Sequence, residues 1–426
     1  MDKTSSESGK PAQVRASAYE GAVEGLVAAG SPERPGLWRK RVWPLLLCLP
    51  IVAVAVLASG LLLPVPILDV IASALSGLFF WLLIISGALA AMAYGLWRAR
   101  RGRFRLILTG LAVFATVVWI IVGVRSVALA VRQDVPVSLT QLALGWTLEN
   151  GAPDLTLPYT SHDGQAVTLS VWRPAKDVHA NAKGAPVLVM THGGGFVGGS
   201  VQEQLLPYAR WFADHGYLVI GANYTLSSPT VHAWNVAEGQ IACALSWANA
   251  NAARHGGDVS RLAVYGESAG GNLVINAAYK ASAGVLASSC GGELPRIRAV
   301  AALYPVVGVL EAYDNRHVLG DMGRKFDEQY LGGSPTRFPE RYASVQSINA
   351  VTPEAPPTLL VYGEADHLVP PGGTRTFARA ARAAGVDIRV AEVPFGEHGF
   401  DLVSGSVGAQ VWRRGSLDWF ESHLAD

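Results

Sequence analysis

Charge is scarce in this sequence: Asp, Glu, Lys and Arg make up 16% of its 426 residues, where ordinary soluble domains carry about 25%. Half of the residues are hydrophobic, so a disordered chain is excluded and part of the molecule is expected to lie in lipid. Cysteine is nearly missing. Cys48, Cys243 and Cys290 are the whole complement, too few for a disulfide scaffold and without the paired spacing of a metal site. The fold must therefore rest on its cores. A net charge is missing too, but the formal +1 hides two unlike parts: residues 1–132 hold 14 Lys and Arg against 6 Asp and Glu, and the rest hold 20 against 27. The acidic balance of the larger part argues against a nucleic-acid partner, which would require a basic footprint there.

The basic residues border three apolar runs. Between Arg41 and Asp69 lie 27 uncharged residues, between Asp69 and Arg98 another 28, and between Arg105 and Arg125 another 19. A hydrocarbon core takes about 20 residues to cross at 1.5 Å each. Three transmembrane helices are expected, at about 42–63, 70–97 and 106–124, within an all-α membrane segment of residues 37–130. Pro44 and Pro50 are tolerable in a membrane bundle, where neighbours satisfy the freed carbonyls. Trp43, Trp97 and Trp119 lie near or towards the ends of the runs, where indoles favour the interface.

Orientation follows from the basic loops, which stay on the cytoplasmic side. Arg39, Lys40 and Arg41 precede the first run and Arg98, Arg100, Arg101, Arg103 and Arg105 fill the second loop, whereas the first loop carries only Asp69. The amino terminus is expected on the cytoplasmic side of the cell membrane and everything beyond about residue 125 on its outer face, with Arg125 and Arg132 voting weakly the other way. Residues 1–36, rich in small and charged types, read as a mobile cytoplasmic tail. On an oxidising outer face a bridge between Cys243 and Cys290 is permitted, but two separate buried thiols are the expected state.

Beyond residue 150 the pattern changes to short β-rich runs separated by long helical stretches. Ala166–Pro174, Pro186–Gly193, Tyr217–Tyr224, Arg261–Ser268, Arg298–Pro305, Pro357–Glu364 and Ile388–Pro394 read as strands, several of them continuously apolar as in strands covered on both faces. Helices are expected within 231–255, 269–283, 373–384 and 407–423. This alternation predicts an α/β fold with a mostly parallel sheet over residues 161–426. Residues 131–160 read as a linker or lid.

The sharpest motif is "YGESAGGN" at Tyr265–Asn272, a G-x-S-x-G between a predicted strand and a predicted helix. Such a turn exposes its serine, here Ser268, on a strained elbow, and the following amide, Ala269, points at any anion formed beside it. "HGGGF" at His192–Phe196 follows another strand end. Three consecutive glycines are conformationally costly, and amides of Gly193 and Gly194 converging with Ala269 on an oxyanion hole would account for them. A phosphate loop is the alternative, but no G-K-[ST] or G-x-G-x-x-G with a downstream acid occurs there.

A serine nucleophile needs a base and an orienting acid, and the chain order serine, acid, histidine is that of α/β-hydrolases. His317, His367, His398 and His423 follow Ser268. His398, in the glycine-flanked loop "PFGEHGFD" after a strand end, is the candidate base. Asp366 in "LLVYGEADHLV" is the candidate acid, with Glu364 as the alternative.

These motifs together, "HGGGF", "GGDVSRLAVYGESAGGNL", "PPTLLVYGEADHLV" and "FGEHGF", resemble the hormone-sensitive lipase-like branch of the α/β-hydrolases, bacterial carboxylesterases and lipases. The resemblance runs from about Pro186 to the carboxyl terminus. It implies Ser268 as nucleophile, Asp366 and His398 as its partners, Gly193, Gly194 and Ala269 as oxyanion donors, a carboxylic ester of a small molecule or lipid as substrate, and no metal or organic cofactor. An acyltransferase or amide hydrolase with the same triad, or an inactive hydrolase fold used for binding, are the rival readings. The sequence departs from the family at "NYTLSSPTVHAWN" (Asn223–Asn235), and membrane spans stand where a soluble lid is usual. Val131–Tyr159, with Leu139, Leu142, Trp146 and Leu148, and Val318–Tyr342 are candidate covers for the pocket, or else a linker and a packing helix.

Overall fold

The computed structural model describes residues 43–146, 151–175 and 184–425; the expected tail, Val42 and Leu148 lie outside them. Four apolar helices come first: α1 (Trp43–Gly60), α2 (Pro66–Ala74), α3 (Phe79–Ala99) and α4 (Arg103–Arg132). On α4, Leu108, Ala112, Ala115, Trp119, Val122, Ser126 and Leu129 are buried, a repeat of three and four residues that places one stripe against α1 and α3. Ile107, Val113, Val117, Ile120, Ile121 and Val124 are exposed on the opposite side. α4 therefore carries an apolar outer face over an apolar inner stripe.

By length and composition, two helical runs can cross a membrane, 66–99 and 103–132, while the apolar part of α1, Leu46–Gly60, is shorter. Two of the expected runs are also altered in form. The second is divided by a 3-10 turn at Ser76–Leu78, where the segment carrying Val403 and Ser406 packs on it. A Cβ on Gly77 would lie 3.1 Å from Val403 Cβ and 3.2 Å from Ser406 Cβ, so the glycine admits a close approach. The third continues past Val124 to Arg132. Its thirty residues span about 45 Å at 1.5 Å each, and its last turns dock on the sheet. There Arg125 pairs with Glu364 at 2.9 Å, and Gln133 just beyond the helix donates to the Val390 carbonyl at 3.1 Å.

The remainder is an eight-stranded sheet: β1 (Leu155–His162), β2 (Gln165–Trp172), β3 (Ala185–Thr191), β4 (Leu218–Ala222), β5 (Gly257–Glu267), β6 (Ile297–Leu303), β7 (Thr358–Gly363) and β8 (Ile388–Val393). Their spatial order is β1-β2-β4-β3-β5-β6-β7-β8. β1 and β2 run antiparallel at one edge, and β4 to β8 are parallel. Every residue of β3, β4 and β7 is buried, as strands sandwiched between helix layers must be. β1 corrects the reading of 131–160 as linker or lid: the sheet begins at Leu155, whose partner is Val171. Because the central strands are parallel, the loops after β3, β5, β7 and β8 all emerge at one rim, the rim where chemistry gathers in such sheets.

Cys243, on the helix Ala237–Asn251, is bonded to Cys290 with Cα atoms 5.4 Å apart. The expected pair of separate thiols is corrected: the loop carrying Cys290 folds back over that helix, with the Ser289 N–H donating to the Gly239 carbonyl.

Candidate active site

Ser268 opens the helix Ser268–Ser282 immediately after β5. It holds φ at +50°, in the left-handed region that a non-glycine residue occupies only under constraint. The constraint is the close packing of the next turn on β3: a Cβ on Gly270 would lie 2.3 Å from the His192 carbonyl oxygen, so only glycine lets the helix start there. Phe196, Tyr304 and Phe395 also hold positive φ. These residues follow β3, β6 and β8, so backbone strain gathers at the same rim.

Asp366 and His398, from the loops after β7 and β8, meet Ser268. The His398 Nδ1–H donates to Asp366 Oδ2 at 2.8 Å, which fixes the tautomer and leaves Nε2, 3.1 Å from Ser268 Oγ, free to accept the hydroxyl proton. The other carboxylate oxygen of Asp366 accepts the N–H groups of Leu368 and Val369 at 3.0 and 2.7 Å. Glu364, the alternative acid, faces elsewhere, accepting from Arg125 and from the Phe395 N–H.

Of the three expected oxyanion donors, one is corrected. The Gly193 N–H donates to Gln204 Oε1 at 3.0 Å and is not free for a ligand. Gly194 and Gly195 lie in the same loop with φ of +105° and +60°, and their amides meet no acceptor among the described residues. Ala269 stands in the first turn of its helix, where amides have no partner within the helix. His192 is scaffold. Its ring stacks on Tyr224 at 4.5 Å, and burial holds its pKa down at about 4.

Several groups at this rim carry no local signal in the sequence. Glu397 is buried, and one of its oxygens accepts both the His367 N–H at 2.7 Å and the His398 N–H at 2.9 Å. It thereby clamps together the two loops that bear Asp366 and His398. Beneath them, Asp401 accepts the hydroxyls of Tyr304 at 2.8 Å and Tyr208 at 3.0 Å, and Glu267 accepts that of Tyr265 at 2.7 Å. Burial, reinforced by the charge of Asp401, pushes Glu267 up to about 8, so this carboxyl is largely protonated at neutral pH.

Ser268 lies between two spaces. One is an open cleft of about 790 Å³ bordered by Gln202, Glu203, Tyr208, Tyr304, Phe326 and Leu402 among others. The other is a niche of about 30 Å³ walled by Phe196, Val306, Ala312, Phe326, Leu368 and Val369. Of the two expected covers, Val318–Tyr342 contributes Phe326, from the helix Gly320–Leu331. Val131–Tyr159 contributes no described residue to either space; its Trp146 packs instead on Tyr208 and Trp211 with the Arg413 guanidinium 4.0 Å from its ring. The divergent segment Asn223–Asn235 is structural where it begins: Asn223 Oδ1 accepts the Val201 N–H at 2.9 Å.

Residues 175–380 match the BD-FAE family model. The chain is similar to Esterase LipQ of Mycobacterium tuberculosis, at 29% identity over 252 residues, 58% of this chain and 57% of that one. It is also similar to Esterase LipC of the same organism, at 31% identity over 251 residues, 57% of this chain and 59% of that one. The chain thus spans under two thirds of the length of both curated relatives. Among solved structures it resembles Thermogutta terrifontis esterase 2 phosphonylated by sarin, with a TM-score of 0.50 and 23% identity over 59% of this chain and 87% of that one. That likeness, with the sheet order and flanking helices, shows an α/β-hydrolase fold.

Proposed function

We propose that this chain is a membrane-anchored serine hydrolase of carboxylic esters. The observation that carries the reading is the continuous line of hydrogen bonds from Asp366 through His398 to Ser268 at the mouth of a cleft large enough for a small molecule. Ser268 Oγ attacks the ester carbonyl carbon while His398 Nε2 takes its proton, and the carbonyl oxygen becomes an oxyanion facing the amides of Gly194, Gly195 and Ala269. His398 then gives that proton to the departing alkoxide, leaving an acyl-enzyme. Water, deprotonated by the same imidazole, attacks the acyl carbon and releases the acid and Ser268. The relatives named as esterases support ester chemistry.

The two spaces beside Ser268 divide the substrate. The niche, about 30 Å³ against about 790 Å³ for the cleft, is much the smaller space, so it receives a short acyl chain, and the open cleft receives the alcohol. Initial rates on p-nitrophenyl esters are expected to be highest for acetate and propionate and at least about tenfold lower for octanoate, since each badly fitting methylene costs on the order of 1 kcal/mol. A flat profile or a preference for octanoate would remove this division.

The pH dependence follows from the environment of His398. Burial pulls its imidazolium down, but the charge and hydrogen bond of Asp366, with the charges of Glu397 and Asp401, outweigh it and hold the pKa above the ordinary value. The neutral ring is the working base, so hydrolysis fades as pH falls through that raised pKa, above about 6.5. Asp401→Asn removes one raising charge and is expected to move the acid limb of kcat/KM to lower pH; an unmoved or upward limb would contradict this account.

The apolar helices supply the anchor. We read α1 with the two longer runs as three crossings, the amino terminus cytoplasmic and the sheet on the outer face. The 18 residues of α1 reach about 27 Å, and the Cys243–Cys290 bond suits an oxidising compartment.

A further inference from the structure

A second cluster of chemistry-bearing side chains lies beside the proposed active site, drawn from three distant parts of the chain. Asp69 comes from the first turn of α2, His317 from the loop before the helix Gly320–Leu331, and His367 from the loop after β7. One ligand atom from each falls within 4.8 Å of the others. Asp69 Oδ2 is 3.2 Å from His367 Nε2, and the rings of His317 and His367 have centroids 4.1 Å apart.

The hydrogen bookkeeping of His367 identifies what the cluster suits. Its Nδ1 is bonded to Glu397 Oε2, a buried carboxylate that can only accept. With the proton on Nδ1, Nε2 presents a bare lone pair, and what it faces is another acceptor, the Asp69 carboxylate. A cation between them resolves the opposition. A carboxylate that holds the far nitrogen of a histidine is also the usual outer support of a metal-ligating imidazole, fixing its tautomer and raising its basicity.

We propose that Asp69, His317 and His367 form a zinc-type divalent metal site that ties the first apolar helical run to the loop carrying Asp366. Two imidazole nitrogens and one carboxylate oxygen, with water as a fourth ligand, are a donor set for Zn²⁺; Mg²⁺ and Ca²⁺ favour all-oxygen ligation. The metal has a structural role: it pins Asp69 of α2 to the residue next to the proposed catalytic acid. This inference does not depend on the ester-hydrolase reading, because it concerns binding alone.

The test uses the full chain in detergent or nanodiscs, stripped with a chelator, desalted and titrated with Zn²⁺, with bound metal measured by elemental analysis and Co²⁺ used as a spectroscopic stand-in. The wild type is expected to retain one equivalent of Zn²⁺ and to show the visible bands of tetrahedral Co²⁺. His317→Ala, in an exposed loop, and Asp69→Asn are each expected to weaken Zn²⁺ binding at least about tenfold, while His423→Ala, at a remote surface histidine, leaves it unchanged. Failure of the wild type to bind, or equal binding by the wild type and both cluster variants, would overturn the proposal. In the first case the cluster is an imidazolium shared between two carboxylates.

Discussion

Ser268→Ala is expected to lower kcat for p-nitrophenyl acetate by about 10⁴-fold or more while leaving the fold intact. In the proposed mechanism the hydroxyl is the group that bonds to the acyl carbon, and in serine hydrolases loss of the nucleophile leaves only the residual rate that oxyanion donors and substrate binding provide, about 10³- to 10⁴-fold over water. The substitution removes one oxygen from a strained position, φ +50°, so stability is expected to hold or rise slightly. The paired measurement is kcat together with the thermal midpoint. Activity within tenfold of wild type at an unchanged midpoint would exclude Ser268 as nucleophile.

Asp366→Asn is expected to cost about 10³- to 10⁴-fold in kcat, because an amide can donate to His398 Nδ1 and so stabilise the tautomer in which Nε2 carries the proton. Glu364→Gln separates this role from mere proximity. Glu364 directly follows β7, yet its partners are Arg125 and the Phe395 N–H, and an exposed ion pair of that kind is worth only about 0 to 1 kcal/mol. The Glu364 variant is expected to keep kcat within a few fold of wild type. If it instead lost activity as steeply as the Asp366 variant, the acid would be misassigned.

Much of the α/β part is legible because its strands are buried on both faces and so read as unbroken apolar runs, and because the elbow and the glycine loop carry backbone requirements that few residues meet. β1 was missed for a local reason. Leu155, Leu157 and Tyr159 alternate with polar neighbours as an edge strand should, but Pro158 interrupts the run, and the register shifts between Pro158 and Thr160. Other features have no local signature. Gln204 reaches back 11 residues to occupy the Gly193 amide, the Cys243–Cys290 bond spans 47 residues, and the Asp69–His367 contact spans 298. The break at Ser76–Leu78 likewise has no local signature: it falls where Val403 and Ser406 come so near that a Cβ on Gly77 would lie 3.1 and 3.2 Å from theirs.

The most direct test of the central claim is covalent capture. A fluorophosphonate, which phosphonylates a serine only where its hydroxyl is activated by a base and the resulting anion is held by preorganised donors, is incubated with the folded full chain, and the modified peptide is identified by mass spectrometry. One equivalent of label on Ser268, lost in His398→Ala, is the predicted result. An unlabelled Ser268, or equal labelling without His398, would contradict the account.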